Sequence, residues 1–148
     1  MVTAFARCIL VPIDFSDASQ AALGRAVALV ERSDATLHLL HVLEEIVGAD
    51  PLAWQLGARS SIERAIEQTA LDDLRNLLPT DECSRMRVRL TVHWGTPAVE
   101  ILRYAEARHV DLIAMGRHGR SGMKPLLLGH VTDEVARHAP CTVLSMRQ

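Results

Sequence analysis

The sequence predicts an α/β domain built around a parallel sheet, and three observations support this. Short apolar runs alternate with segments of helical periodicity, as they do in successive βαβ units. The first run, Cys8–Asp14, shows no polar alternation and is typical of a strand covered on both faces. The chain has 148 residues, of which 49% are apolar and 23% charged, which is enough to bury one core. We therefore expect a single domain over residues 1–148.

Five apolar runs are predicted to be strands: Cys8–Asp14, Ala35–Leu43, Met86–His93, Val110–Met115 and Cys141–Met146. The third run has more polar residues than the others, so we place it at an edge of the sheet. The fifth run is the last strand and should lie at the other edge.

Helix signals separate these runs. Ser16 or Asp17 can cap the first helix, whose apolar positions are Leu23, Ala26, Val27 and Val30. Ser60 and Glu63 have capping-box spacing and open a helix that ends before Pro79 and carries Ile62, Ile66, Ala70, Leu74 and Leu77 on one face. Thr96 should cap the next helix, with Pro97 in its first turn. Val131–His138 is predicted to be the last helix, and Glu44–Arg59 a loop with one helical turn around Trp54.

Composition argues against several classes of partner. The formal charge of −2 gives no general reason to expect nucleic acid. No apolar run approaches the roughly 20 residues of a membrane helix, and the first residues do not form a signal-peptide pattern. Three cysteines, Cys8, Cys83 and Cys141, form no CxxC pair, which favours buried free thiols in a reducing compartment. We therefore expect a cytoplasmic protein with no nucleic-acid or membrane partner.

The motifs of common enzyme classes are not found. The sequence contains no GxxxxGK[ST], GxGxxG or GxSxG pattern. Five histidines have no metal-ligand spacing, so we predict no zinc site; they are His38, His41, His93, His109 and His138. No acid–base pair or nucleophile is visible, and the enzyme class stays open.

The stretch Met115–Thr132 joins the fourth predicted strand to the last predicted helix. Among its residues are the glycines Gly116, Gly119 and Gly129, the basic residues Arg117, Arg120 and Lys124, and the hydroxyl residues Ser121 and Thr132. Glycines let a backbone turn tightly and approach a ligand closely. A loop that opens a helix also presents unpaired N–H donors and a positive dipole end to an anion. The stretch is either a phosphate cradle or a surface loop whose glycines only make turns.

The spacing Gly-x2-Gly-x9-Gly after a strand resembles the nucleotide loop of the universal stress protein family. The words MGRHGRSG and LLLGHVTDEVARHAPCTVL are similar to that family almost residue for residue, and the resemblance covers essentially the whole chain. It implies a doubly wound α/β fold with a five-stranded, mainly parallel sheet, strand order 3-2-1-4-5, and helices on both faces. That order puts a switch point between strands one and four, where doubly wound sheets bind ligands.

The resemblance also implies an adenine-nucleotide site at this crevice. Asp14 matches an aspartate that contacts the nucleotide, through ribose or a metal; its alternative role is to cap a helix or brace a turn. Pro12 and Val42 match positions that line the adenine pocket, Val42 through its backbone. The expected site also comprises Met115, Gly116, Gly119, Arg120, Gly129, His130, Val131 and Thr132, and the phosphates are expected to meet backbone N–H groups near Gly119, Gly129 and Val131 and the Thr132 hydroxyl. Arg117, His118 and Lys124 could also meet phosphate oxygens.

His130 is the position that departs from the family pattern, because nucleotide-binding members carry a small hydroxyl residue there. Two hypotheses therefore stay open. In the first, the protein is a regulatory module that binds ATP, with or without Mg²⁺. In the second, His130 blocks the phosphate site and the protein is a stress-response interaction protein that binds no nucleotide. Slow ATP hydrolysis is a third alternative. Family members dimerise through their last strands, so we also expect a homodimer through Cys141–Met146 and a protein partner that the sequence does not identify.

Overall fold

The computed structural model describes residues 6–45, 50–57, 59–117 and 130–147. Five strands form one sheet of order β3-β2-β1-β4-β5, and every neighbouring pair is parallel. The strands are β1 Cys8–Pro12, β2 Thr36–Leu43, β3 Arg87–Trp94, β4 Leu112–Gly116 and β5 Thr142–Met146. The predicted order is confirmed, and so are the edge positions of β3 and β5. Strand β1 ends at Pro12, so Asp14 lies in the turn beyond it.

Six helices lie within the described residues: α1 Asp17–Val30, α2 Pro51–Gln55, α3 Ser61–Asn76, α4 Thr80–Cys83, α5 Pro97–Ala107 and α6 His130–His138. The helical turn expected around Trp54 is α2. The short α4 was not expected from the sequence, since four residues are too few to show a period. No helix within the described residues is long and apolar enough to cross a bilayer.

Helix starts follow local chemistry with one exception. Ser16 caps α1 by accepting a hydrogen bond from the Ser19 N–H. Ser60 and Glu63 form both bonds of a capping box at α3. Thr96 stands at the N-cap of α5, but its side chain makes no capping bond, so that part of the prediction is wrong. Pro97 in the first turn needs no donor partner and has a φ that suits a helix, so the helix starts there without the hydroxyl.

Helices cover both faces of the sheet, as predicted. Helices α1 and α3 pack on one face, where Val27, Leu39 and Leu74 are buried together. Helices α5 and α6 cover the other, with Ile101, Ile113 and Val135 in the core. The sheet therefore lies between two layers of helices, and loops follow the carboxyl ends of its strands.

Ile62 does not lie on the buried face of α3, contrary to expectation. Its side chain is 69% exposed, whereas Ala70 and Leu74 further along the helix are buried. In the first turn the inward position is taken by Glu63, whose carboxylate accepts a bond from the Ser60 N–H. The capping box therefore turns Ile62 outward.

Candidate functional site

The turn between β1 and α1 places Asp14 beside the switch point. The backbone N–H of Ser16 donates to Asp14 Oδ1 at 3.0 Å, and the Ser16 hydroxyl donates to the same oxygen. Ser16 in turn caps α1. Asp14 therefore braces the turn, which was the alternative role, and it does so as a half-buried carboxylate just beyond the end of β1. Bracing and ligand contact are compatible, since a carboxylate has two acceptor oxygens.

Gly116, the last residue of β4, lies against the first turn of α1. A Cβ added at this position would lie 2.8 Å from Cβ of Ala18 and nearer still to the Ala18 backbone. Only a residue without a side chain lets strand and helix approach this closely. Close packing of α1 is therefore a structural reason for this glycine, in addition to any approach by a ligand.

Thr132 joins the first turn of α6 to the same residue. Its hydroxyl donates to the Gly116 carbonyl at 3.1 Å, and its side chain is buried. The hydroxyl hydrogen of Thr132 is therefore used within the protein. This differs from the prediction that the hydroxyl would be directed at a phosphate. The backbone N–H groups at the start of α6 are then the donors that an anion would meet.

Apolar residues of the predicted site lie on the face covered by α5 and α6. Met115 is buried there, and Val42 and Val131 are half-buried and pack against the same cluster. Pro12, the last residue of β1, is also half-buried. Pro12, Val42 and Met115 thus lie at or near the carboxyl ends of β1, β2 and β4, and Val131 lies in the first turn of α6.

His130 is the first residue of α6, and its imidazole is 80% exposed. Nε2 lies 4.0 Å from Oε2 of Glu134, one turn further along the helix. The ring therefore leans along the side of α6 rather than standing in front of its N-terminus.

Several predicted residues lie outside the described part of the chain. These are Gly119, Arg120 and Gly129, with His118, Ser121 and Lys124. Arg117 is described and exposed, and its N–H donates to the Met146 carbonyl at 2.9 Å, which extends the pairing of β4 with β5.

His41, which the sequence did not mark as a site residue, contacts the turn that carries Asp14. Its Nδ1 lies 2.7 Å from the Ile13 carbonyl, and its ring lies 4.8 Å from that of Phe15, measured between centroids. A polar residue within an apolar strand needs a buried partner. That rule would have drawn attention to His41, although it could not name the partner.

Other titratable groups lie away from the crevice. His38 Nδ1 lies 2.8 Å from the Tyr104 hydroxyl beneath α5. Burial lowers the pKa of His38, and the positive charges of Arg89 and Arg108 lower it further. Burial raises the pKa of the Cys8 thiol, and the negative charge of Asp111 adds to this.

Cys8 and Cys141 are free and half-buried rather than fully buried as expected. In the part of the chain that the structure describes, no three His, Cys, Asp or Glu side chains are grouped so that they could hold a metal ion.

The geometry defines a doubly wound α/β protein with its candidate ligand site at the switch point between β1 and β4. The family model described as "Universal stress protein family" matches residues 6–147. This chain belongs to that family.

Relatives support the assignment. The chain is 33% identical to universal stress protein YxiE of Bacillus subtilis, over 94% of this chain and 97% of the relative. Among solved structures, universal stress protein UspA from Lactobacillus plantarum is similar with a TM-score of 0.79 and 29% identity, covering 98% of this chain and all of the other. A universal stress protein solved in complex with cAMP has a TM-score of 0.62 and 25% identity, over 95% and 97% of the two chains.

Substituting Gly116 by alanine should lower the free energy of unfolding by about 1–3 kcal/mol, because the added methyl group meets the Ala18 backbone. Gly24→Ala is the matched control. Gly24 lies in α1 with no atom within 4 Å of an added Cβ, and alanine there should stabilise the helix by about 0.5–1 kcal/mol. Urea denaturation followed by circular dichroism measures both changes. Equal stabilities for the two variants would show that β4 and α1 can separate without cost.

Proposed function

We propose that this protein binds an adenine nucleotide, such as ATP, in the crevice between β1 and β4, and acts as a regulatory module. The observation that carries this proposal is the junction at Gly116, where the first turns of α1 and α6 both contact the end of β4. A helix N-terminus carries partial positive charge and unpaired N–H groups. Two such ends beside one strand terminus favour an anion such as a phosphate.

The surrounding residues suit the other parts of a nucleotide. Asp14 offers a carboxylate for ribose hydroxyls, and the half-buried Pro12 and Val42 offer apolar surface for the base, while Met115 at the end of β4 is buried. The relative solved with cAMP supports an adenine nucleotide as the ligand class. The proposed site also includes Gly116, His130, Val131 and Thr132, together with Gly119, Arg120 and Gly129 outside the described residues.

Mg²⁺ would enter with ATP rather than occupy a site of its own. Mg²⁺ is commonly held by one or two carboxylates together with substrate phosphates and waters. Asp14 is the carboxylate at the crevice that fits such a position. The same crevice can therefore take a nucleotide with or without the ion.

The alternative is an interaction protein of the same fold in which His130 prevents nucleotide binding. The exposed His130 imidazole beside Glu134 favours the binding hypothesis. A ring directed along α6 leaves the N–H groups in the first turn of that helix accessible. The two hypotheses differ in whether nucleotide is bound at all, which titration can decide.

Asp14→Ala should weaken ATP binding by about 1.5–3 kcal/mol, the usual contribution of a hydrogen bond to a charged group. Asp14→Asn keeps an acceptor for the Ser16 N–H while removing the charge, so it should weaken binding with less effect on stability. Asp17→Asn, an exposed acidic residue in the first turn of α1, is the control and should bind no more weakly than the parent. Isothermal titration calorimetry with ATP and with cAMP measures these affinities. Unchanged affinity in both Asp14 variants would leave Asp14 with a bracing role only.

His130→Ser should change ATP affinity by less than about threefold, and the ratio of variant to parent affinity should be the same at pH 6 and pH 8. The reason is geometric, because the His130 ring leans towards Glu134 and away from the proposed phosphates. Comparing ratios removes the titration of the nucleotide itself. If the parent binds no nucleotide and His130→Ser binds it clearly, the interaction-protein hypothesis replaces ours.

We also propose that two copies pair through the edge strand β5. This strand is at the sheet edge, and Leu144 is 42% exposed. An unpaired edge of β-favouring residues is a template for pairing with a second chain. Multi-angle light scattering at micromolar concentration should report a dimer, and Leu144→Lys should shift it towards monomer because a charge on an edge strand opposes pairing. A monomeric parent would remove this proposal.

A further inference from the structure

His41 is a buried polar residue in the apolar strand β2, with only 5% of its surface exposed. Side chains alternate along a strand, so His41 shares the face of Leu39, which belongs to the cluster under α1, and not the face of Leu40 and Val42. Its Nδ1 lies 2.7 Å from the Ile13 carbonyl oxygen. A carbonyl only accepts, so Nδ1 carries the hydrogen and donates it.

Ile13 is held at both of its backbone groups by consecutive residues of β2. Its N–H donates to the Leu40 carbonyl at 2.8 Å, and its carbonyl accepts from His41. Its side chain is buried as well. The peptide that immediately precedes Asp14 is therefore fixed to the neighbouring strand.

Phe15, on the other side of Asp14, touches the same imidazole. The two ring centroids are 4.8 Å apart, with an interplanar angle of 54°. Phe15 has φ of 63°, in the left-handed region that bulky residues rarely adopt. Such a conformation persists only where neighbouring groups hold it. Here the His41 ring packs against the Phe15 ring, and Gln20 Nε2 donates to the Phe15 carbonyl at 3.1 Å.

We propose that His41 is a positioning residue of the nucleotide site, which holds the β1–α1 turn so that the Asp14 carboxylate stays at the crevice. One imidazole bonds the residue before Asp14 and packs on the residue after it. Asp14 then closes the turn through Ser16 and the cap of α1. This inference rests on the proposed nucleotide function and names a residue outside the crevice that its affinity depends on.

His38 is a second buried histidine on the same strand, and it lies away from the β1–α1 turn. It is equally buried, at 7% exposed, and its Nδ1 also makes one short hydrogen bond, to the Tyr104 hydroxyl. That bond lies on the opposite face, beneath α5, and touches no part of the β1–α1 turn. His38 therefore supplies a control matched in strand, burial and bond.

The test uses three full-length variants. His41→Phe keeps an aromatic ring against Phe15 but removes the donor to the Ile13 carbonyl. His41→Asn keeps an N–H donor at a position similar to Nδ1 but removes the ring. His38→Phe removes a comparable buried bond from the other face. Each variant is first shown to be folded by circular dichroism. Amide hydrogen exchange by NMR then follows the Ser16 and Ser19 N–H groups without nucleotide, and calorimetry follows the affinity for ATP and cAMP.

We expect His41→Phe to exchange the Ser16 amide about tenfold faster and to bind nucleotide about tenfold more weakly, the effect of one lost buried hydrogen bond. His41→Asn should stay within about threefold of the parent in affinity, which shows that the donor is what matters. His38→Phe should lose stability without changing either local measurement.

The outcomes separate this inference from the proposed function. The claim that His41 holds the β1–α1 turn is wrong if the Ser16 amide of His41→Phe exchanges at the parent rate. It is also wrong if His38→Phe changes that rate equally. Both outcomes can be read whether or not nucleotide binds. If the Ser16 amide of His41→Phe exchanges faster but the variant binds nucleotide as tightly as the parent, His41 has no role in binding. A parent that binds neither ATP nor cAMP removes the proposed function, and with it the binding role of His41, while the exchange data still decide the hold on the turn.

Discussion

The architecture depends on one close approach, that of the first turn of α1 to Gly116 at the end of β4. Strand β4 is the neighbour of β1 across the switch point, so this contact sets how far α1 stands from the crevice. Thr132 then attaches α6 to the carbonyl of the same glycine. Three elements meet at a single residue that has no side chain, and any added atom would move at least one of them.

This junction gives the crevice its electrostatic character without relying on charged side chains. The N-terminal turns of α1 and α6 bring the partial positive ends of two helix dipoles to the end of β4. Backbone donors are fixed by the fold and carry little entropy cost when they meet a ligand. The Asp14 carboxylate, just beyond the end of β1, adds an acceptor to the proposed nucleotide site.

Helix-start residues predicted the structure correctly where the capping hydrogen bonds join residues that are close together in the sequence. The capping box of Ser60 and Glu63 formed as expected, because its bonds span three residues. The same box explains the failure at Ile62, since the periodic pattern did not show that Glu63 would take the inward position. Thr96 failed for a related reason, because residue type permits a capping bond but the rotamer that makes it depends on the surroundings.

The sequence by itself determined the succession of strands and helices along the chain, except for the short α4, through apolar runs and helix-start residues. The family resemblance supplied the order of the strands in the sheet and the place of the crevice. Tertiary structure alone decided what the site residues do. It showed that Gly116 accommodates Ala18, that the Thr132 hydroxyl bonds a carbonyl 16 residues away, and that His41 bonds one 28 residues away. Periodicity reports which face of an element is apolar, but a hydrogen bond between distant residues depends on how the elements pack. That information exists only once the chain has folded.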